Sequence, residues 1–349
     1  MIFASDNWAG VHPEIARHVV EKTSGFTPSY ANSDIDKDVV RKIGELFECE
    51  VSVFLVGTGT IANSLALSAV ARPGGVVFCH ENAHIIVDEC GGPEFFTDGV
   101  RLHGVSGNDG KVDPGALENA VARYPREFVH HGQPAAISIT QLTEAGTTYS
   151  LSEVSQISDI ARSNDIPLHM DGARFANAIA RLAVSPAEMT WKSGVDVLSF
   201  GGTKNGCWCA EAIVFFNEDL ARDFEFIHKR AGQLYSKSSF LSAQFEALLE
   251  DGLWLKLARH ANEMAALLTS HIKRSSKLRL AWQPDANEVF AIMKSEVSDE
   301  LLASDAMFFI ETPPAFITDS MGEDEVLARF VCSFATRDID VDKFGELIS

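Results

Sequence analysis

The chain is poor in cysteine and in positive charge. Six cysteines among 349 residues are too few for a disulfide scaffold, and Cys207 and Cys209 form a C-x-C rather than paired metal knuckles. Lys and Arg number 29 against 49 Asp and Glu, a formal net charge of −20. Nucleic acid and anionic membrane both require clustered positive charge, so neither is expected as a partner. No apolar run reaches the roughly 18 residues needed to span a bilayer. The start, Met1-Ile2-Phe3-Ala4-Ser5-Asp6-Asn7, has no basic stretch followed by an apolar one, so no secretory signal is expected. A cytoplasmic setting with reduced thiols follows as the expectation. No internal repeat and no low-complexity tract is visible.

What is present suits a globular protein. The chain is 46% hydrophobic and 22% charged. At roughly 100–200 residues per domain, two domains are expected. Short apolar runs predict strands at 51–56, 76–79, 135–139, 168–170, 195–200 and 212–216. Helical periodicity predicts helices at 61–71, 114–124, 152–164 and 175–182. Strands alternating with helices imply crossover units and a mostly parallel sheet. Ser150 stands before the third helix as a serine cap. After residue 216 the character changes. Residues 218–250 read as largely helical with Gly232 as an interruption, and 253–275 as one long amphipathic helix. Shorter runs at 278–282, 288–293, 307–310 and 327–334 suggest a small antiparallel sheet with helices on one side. The expected division is a large domain over 1–250 and a small C-terminal domain over 251–349.

Three segments carry candidate chemistry. Gly57-Thr58-Gly59-Thr60 follows a strand and opens a helix, where free backbone N–H groups and the positive dipole end suit a phosphate. A tight turn with a threonine cap is the plainer reading. The segment matches neither a P-loop nor a dinucleotide fingerprint. His169-Met170-Asp171-Gly172-Ala173-Arg174 places Asp171 just past a strand, where α/β sheets hold ligands. Asp171 alone reads equally as metal ligand, base, cation partner or cap of the helix that follows. Gly201-Gly202-Thr203-Lys204 ends an apolar strand in small residues and one lysine. Desolvation there makes an amine nucleophilic, although a lone lysine in a glycine turn is more often a surface group.

The order of the three is more telling than any one of them. A phosphate needs N–H donors, a pyridine nitrogen needs a carboxylate, and an aldehyde needs a lysine. With Ser5-Asp6-Asn7 and His12-Pro13, GTGTIANSLAL (57–67), AHIIVDECGGPEFF (83–96), HMDGARFANA (169–178), SPAEMTWKSGVDVLSFGGTKNG (185–206), KRAGQL (229–234), FLSAQ (240–244) and ARFVCSFAT (328–336), the chain resembles the threonine aldolase branch of the fold type I pyridoxal-phosphate enzymes. These segments span nearly the whole chain. The resemblance implies an aspartate aminotransferase-like α/β fold and pyridoxal 5'-phosphate as cofactor. It also implies a β-hydroxy-α-amino acid as substrate, cleaved between Cα and Cβ to glycine and an aldehyde.

The resemblance also implies residue roles. Lys204 would bond to the cofactor and Asp171 would pair with its pyridine nitrogen. His84 would stack on the ring, and Gly57, Thr58, Gly59 and Thr60 would hold the phosphate. Arg174, beside the cofactor, and Arg329 match the arginines that clamp the substrate carboxylate, with Ser5 adding a hydrogen bond. Arg329 also stands out unaided, because a charge inside the apolar run 326–334 needs a partner; a structural ion pair is the alternative. Where many family members carry a second histidine, this chain has Glu144. The base for the β-hydroxyl therefore stays open between His84, Glu144 through a water, and a phosphate-bound water. The family's Tyr-Gly is Tyr30-Ala31 here, with Tyr30 reaching toward a neighbouring subunit's site. Arg230 or Lys237 would supply a cation to the partner's phosphate. A homodimer or homotetramer with shared sites is implied.

Rival readings within the fold are a phenylserine aldolase, a serine hydroxymethyltransferase, a β-eliminating lyase and an amino-acid racemase. A non-catalytic cofactor-binding protein is the rival from another class. His84, Asp88, Glu89 and Cys90 have ligand-like spacing, but no second cluster matches them and no metal is expected.

Overall fold

The chain's apolar runs assemble into two sheets in the computed structural model, which describes residues 1–349 apart from the side chains of Ala315 and Phe316. The larger sheet holds β1 (Ser52–Val56), β2 (Gly75–His80), β3 (Arg101–Val105), β4 (Gln133–Thr140), β5 (Leu168–Gly172), β6 (Val197–Gly201) and β7 (Glu211–Phe215), in the order β1-β7-β6-β5-β4-β2-β3. From β3 to β6 all neighbours run parallel, while β7 is antiparallel to both β6 and β1. The reason is burial. Strands β2, β5, β6 and β7 are buried at every position, covered on both faces as a parallel sheet must be. Hence β2, β6 and β7 read as largely apolar runs, while β5 carries the buried His169 and Asp171 among its apolar residues. β3 was not expected from the sequence. It is the edge strand, with Arg101 and Gly104 exposed, and carries no such run.

Helix starts follow their caps. Ser150 accepts from the Glu153 N–H, and the Glu153 carboxylate answers to Ser150, forming a capping box for the helix Leu151–Ser163. Thr58 caps the helix Gly59–Val70 through the Ile61 N–H at 3.2 Å. That helix is nearly all apolar, because it lies between the sheet and its neighbouring helices. The helices Pro13–Lys22 and Asp34–Phe47 also form, though the sequence reading passed over them. The second has the capping box Ser33/Asp36 and buries Val39, Ile43 and Phe47 at four-residue spacing.

The smaller sheet holds β8 (Leu278–Leu280), β9 (Glu288–Lys294), β10 (Phe309–Glu311) and β11 (Glu325–Val331), antiparallel throughout in the order β10-β11-β9-β8. Val289, Ala291, Met293, Ala328 and Phe330 face the helices Leu253–Arg274 and Asp338–Leu347 in one buried cluster. Phe3 joins this cluster, with its ring 5.4 Å from Phe344 and its backbone bonded to Met307 and Val331, each at 2.7 Å. The long helix Leu253–Arg274 also packs on the helix Phe175–Leu182. Asn177 and Asn262 exchange hydrogen bonds at 3.1 and 3.0 Å there. The architecture is therefore a large α/β domain with a mostly parallel sheet and a small antiparallel domain docked against it. Among the described residues, no helix is long and apolar enough to cross a membrane.

Candidate active site

The C-terminal ends of β1, β5 and β6 open toward one another, where a parallel sheet places its ligands. At the end of β1, Gly57 donates its N–H to Gln233 Oε1 at 3.1 Å, and a Cβ there would meet the Tyr235 hydroxyl at 2.6 Å. Only glycine fits. Thr58 spends its hydroxyl on the cap. Two N–H groups of the first turn, those of Gly59 and Thr60, have no hydrogen-bond partner among the described residues and suit a phosphate.

Asp171 lies inside β5, not beyond it. It is buried, and its Oδ1 accepts from the Ala173 N–H at 3.0 Å and its Oδ2 from Asn63 Nδ2 at 2.8 Å. It does not cap the next helix, whose cap position is Arg174 without a side-chain bond. Asn63 projects from the helix that starts at the phosphate loop. Its amide also donates to Glu89 Oε1 at 2.9 Å, and the same oxygen meets His84 Nδ1 at 2.8 Å. The hydrogen bond to Glu89 raises the His84 imidazole above its ordinary value despite partial burial. Burial raises Glu89 as well. His84 begins the one-turn helix His84–Val87, and its backbone N–H reaches Glu144 Oε1 at 2.8 Å. Thr140 donates to the same oxygen at 3.0 Å. Glu144 Oε2 is buried with no hydrogen bond, and burial pushes this carboxyl up to about 7.

Lys204 stands in the turn Thr203–Asn205 after β6 and makes no hydrogen bond among the described residues. Glu211, at the start of β7, anchors that turn by accepting from the Gly202 N–H at 2.9 Å and from Thr203. Its carboxyl is fully buried and pushed up to about 7. A Cβ on Gly201 would meet the Ala173 carbonyl at 2.5 Å, so glycine is what lets the lysine turn approach the Asp171 turn.

The fourth element is charged. Arg174 donates Nε and Nη2 to the two oxygens of Asp6 at 2.7 and 3.0 Å, and Nη1 lies 3.3 Å from Glu288 Oε2. Burial alone would raise the Asp6 carboxyl, but Arg174 and Lys204 outweigh it and hold it below its ordinary value. Arg329, on β11, pairs with Glu311 at 3.2 Å without hydrogen-bond alignment, and its guanidinium lies 5.8 Å from the Phe309 ring. Its partner is thus only a half-exposed rim carboxylate. Ser5 caps the turn Asp6–Trp8 by accepting from the Asn7 N–H at 3.1 Å, which aims Asp6 inward.

The structure therefore brings together His84, Glu144, Asp171, Arg174 and Lys204, with Ser5 adjoining through Asp6. Tyr30 is half-exposed, with Lys229 4.8 Å from its ring, in a cleft that it shares with Gln233 and Tyr235, the residues that meet Gly57. Ala31 takes φ +59°, the left-handed region in which a glycine is at ease. Arg230 and Lys237 are exposed. Asp88 and Cys90 do not join His84 and Glu89 in any cluster of three ligands among the described residues. Sequence reasoning missed Asp6, Asn63, Glu211 and Glu288 as site residues, and read Glu89 only as part of a metal pattern.

This constellation fits pyridoxal phosphate on the protein's own terms. Free N–H groups stand at a helix start, a buried carboxylate is fixed by two donors, and an unbonded lysine lies within electrostatic reach of His84. The buried Asn63 Oδ1 and Glu144 Oε2 lack partners, as expected of atoms lining a site that holds a polar group.

The family model described as beta-eliminating lyase matches residues 3–296. A low specificity L-threonine aldolase of Pseudomonas sp. is 41% identical over 339 residues, 97% of this chain and 94% of that one. Its counterpart from Pseudomonas aeruginosa is 40% identical over 345 residues, 99% of this chain and 95% of that one. A structure of Leishmania major threonine aldolase superposes with a TM-score of 0.91 at 28% identity, covering 99% of this chain and 98% of that one.

Proposed function

The chain belongs to the beta-eliminating lyase family, and from that membership we propose that it is a pyridoxal-phosphate-dependent aldolase. It cleaves L-threonine, L-allo-threonine and other β-hydroxy-α-amino acids to glycine and an aldehyde. One geometric observation supports this above the rest. Asn63, on the helix that opens at the phosphate loop, touches Asp171 at 2.8 Å. Asp171 in turn lies in β5, next to β6, the strand whose following turn carries Lys204. The helix of the phosphate loop is thus tied through Asn63 to the carboxylate proposed for the ring nitrogen.

Bound pyridoxal phosphate supplies an electron sink for the pair left on Cα when the Cα–Cβ bond breaks. Gly59 and Thr60 would hold its phosphate through N–H groups, helped by the helix dipole. Asp171 would keep a proton on its ring nitrogen, and His84, oriented by Glu89, would lie against the ring. Arg174 and Arg329 bind the substrate carboxylate, and fixing that end turns the Cα–Cβ bond for cleavage. Such positioning supplies as much as about 7–11 kcal/mol of a barrier in favourable cases. The β-hydroxyl must lose its proton as the aldehyde carbonyl forms, and Glu144, beside the His84 backbone, receives it directly or through a water. The exposed Tyr30, Arg230 and Lys237 suit contact with a second copy, so we place the protein as a homodimer or homotetramer. Its six unpaired cysteines suit a reducing cytoplasm.

Glu144 gives the proposal a pH signature. A carboxyl pushed up to about 7 is a base only above that pH. Turnover is therefore expected to fall about tenfold per unit below pH 7, and Glu144→Gln to remove that limb while lowering kcat about 10²–10⁴-fold. A limb that survives in the variant assigns the proton to His84 or to water. The reaction itself is tested with L-threonine, L-allo-threonine, their D-enantiomers and L-threo-phenylserine, quantifying glycine and aldehyde. Equal amounts of the two from an L-substrate are expected. Bound cofactor without any glycine would overturn the aldolase reading.

A further inference from the structure

Glu288 is the least explained charge in the molecule. It starts β9 in the small domain, is 1% exposed, and both of its carboxylate oxygens lack hydrogen bonds. A buried carboxylate with four idle lone pairs is costly. Its nearest cation is Arg174, at 3.3 Å from Nη1. Asp6 already takes the Nε and Nη2 edge of that guanidinium, so Glu288 occupies what remains. That remaining edge is the one a substrate carboxylate needs.

We propose that Glu288 holds the substrate's place on Arg174 in the free protein, and yields it by taking up a proton. The inference rests on the amino-acid-cleaving reading of the site. Charge demands the exchange. Glu288 faces Arg174, from the loop after β5, Asp6, from the N-terminal turn, Lys204, from the turn after β6, and Arg329, from β11, which pairs with Glu311 of β10. Glu144, from the turn after β4, also acts on Arg174. The two arginines are already matched by Asp6, Glu288 and Glu311. A further carboxylate would place two anions on one guanidinium edge, and two carboxylates sharing a site cannot both stay ionised. Burial already raises Glu288, which makes it the one to accept a proton from solvent. Once neutral, its O–H donates to the incoming carboxylate, and its idle oxygens find their use. No bond to carbon forms or breaks and no electron moves.

Calorimetry on the holoenzyme tests this at pH 7 in two buffers of different ionisation enthalpy. Glycine and methylamine present the same amine, but only glycine brings a carboxylate. Wild type is expected to take up about one more proton with glycine than with methylamine, and Glu288→Gln to show no such difference. Equal proton counts for the two ligands in wild type overturn the proposal without need of the variant. A difference that persists unchanged in Glu288→Gln also overturns it. If glycine fails to bind or to change the cofactor's visible absorbance, the aldolase reading fails instead, which is a distinct result.

Discussion

Lys204→Ala is expected to abolish covalent cofactor attachment and to lower turnover by at least about 10³-fold. Lys204 is the lysine whose charge acts on His84. The charges that face it, Asp6, Glu211 and Glu288, come from three separate elements, so the amine sits at a point the whole site converges on. The fold should survive, because Lys204 donates no hydrogen bond among the described residues and its turn is anchored through Gly202 and Thr203 instead. Borohydride reduction followed by peptide mass analysis checks the first part. Wild type should carry the reduced cofactor on Lys204, and the variant should carry none. A cofactor mass on another lysine with turnover intact would sink the assignment.

Asp171→Asn should keep the cofactor attached yet lower kcat about 10²–10³-fold, the usual loss when one preorganised electrostatic group is removed. The substitution keeps the shape and removes the charge proposed to keep a proton on the ring nitrogen. It also has a structural cost. Asp171 accepts from both Ala173 and Asn63, whereas an asparagine must turn its NH2 toward one of those donors. A mismatch of that kind costs about 1–3 kcal/mol. The expected pattern is thus a lower melting temperature, a displaced cofactor absorbance and a kcat loss larger than the KM change. Loss of stability with kcat preserved would move Asp171 from the chemistry to the scaffold.

The large sheet was legible because six of its strands are either buried or bounded by clear turns. β3 escaped notice because an edge strand with exposed Arg101 need not look apolar. The helix Asp34–Phe47 did announce itself through Ser33, Asp36 and the Val39, Ile43, Phe47 spacing, a signal the reading passed over. For the site, Lys204, Asp171, His84 and Arg174 came from local motifs. The residues that support them did not, because each bond joins distant segments: Asn63 to Glu89 and Asp171, Asp6 to Arg174, Glu288 to Arg174. One sequence signal would have found two of them. Glu211 and Glu288 are charges at the heads of apolar strands, the same pattern that singled out Arg329. A lone charge in a strand the sheet will bury is a request for a partner, whichever sign it carries.

Phe3 and Phe344 lie 341 positions apart in the chain, yet their rings meet in the small domain's core. Closing so long a loop is slow, and contacts of that range form late. Asp6 follows Phe3 by three residues and takes up its place on Arg174 only once that core has closed. Lys204, Asp171 and the phosphate loop depend on no such contact, since all belong to the large sheet. During synthesis the residues proposed to house the cofactor can therefore come together before Asp6 is set on Arg174. Two kinds of order arrive in sequence: the large sheet's turns first, and the Asp6–Arg174 pair last.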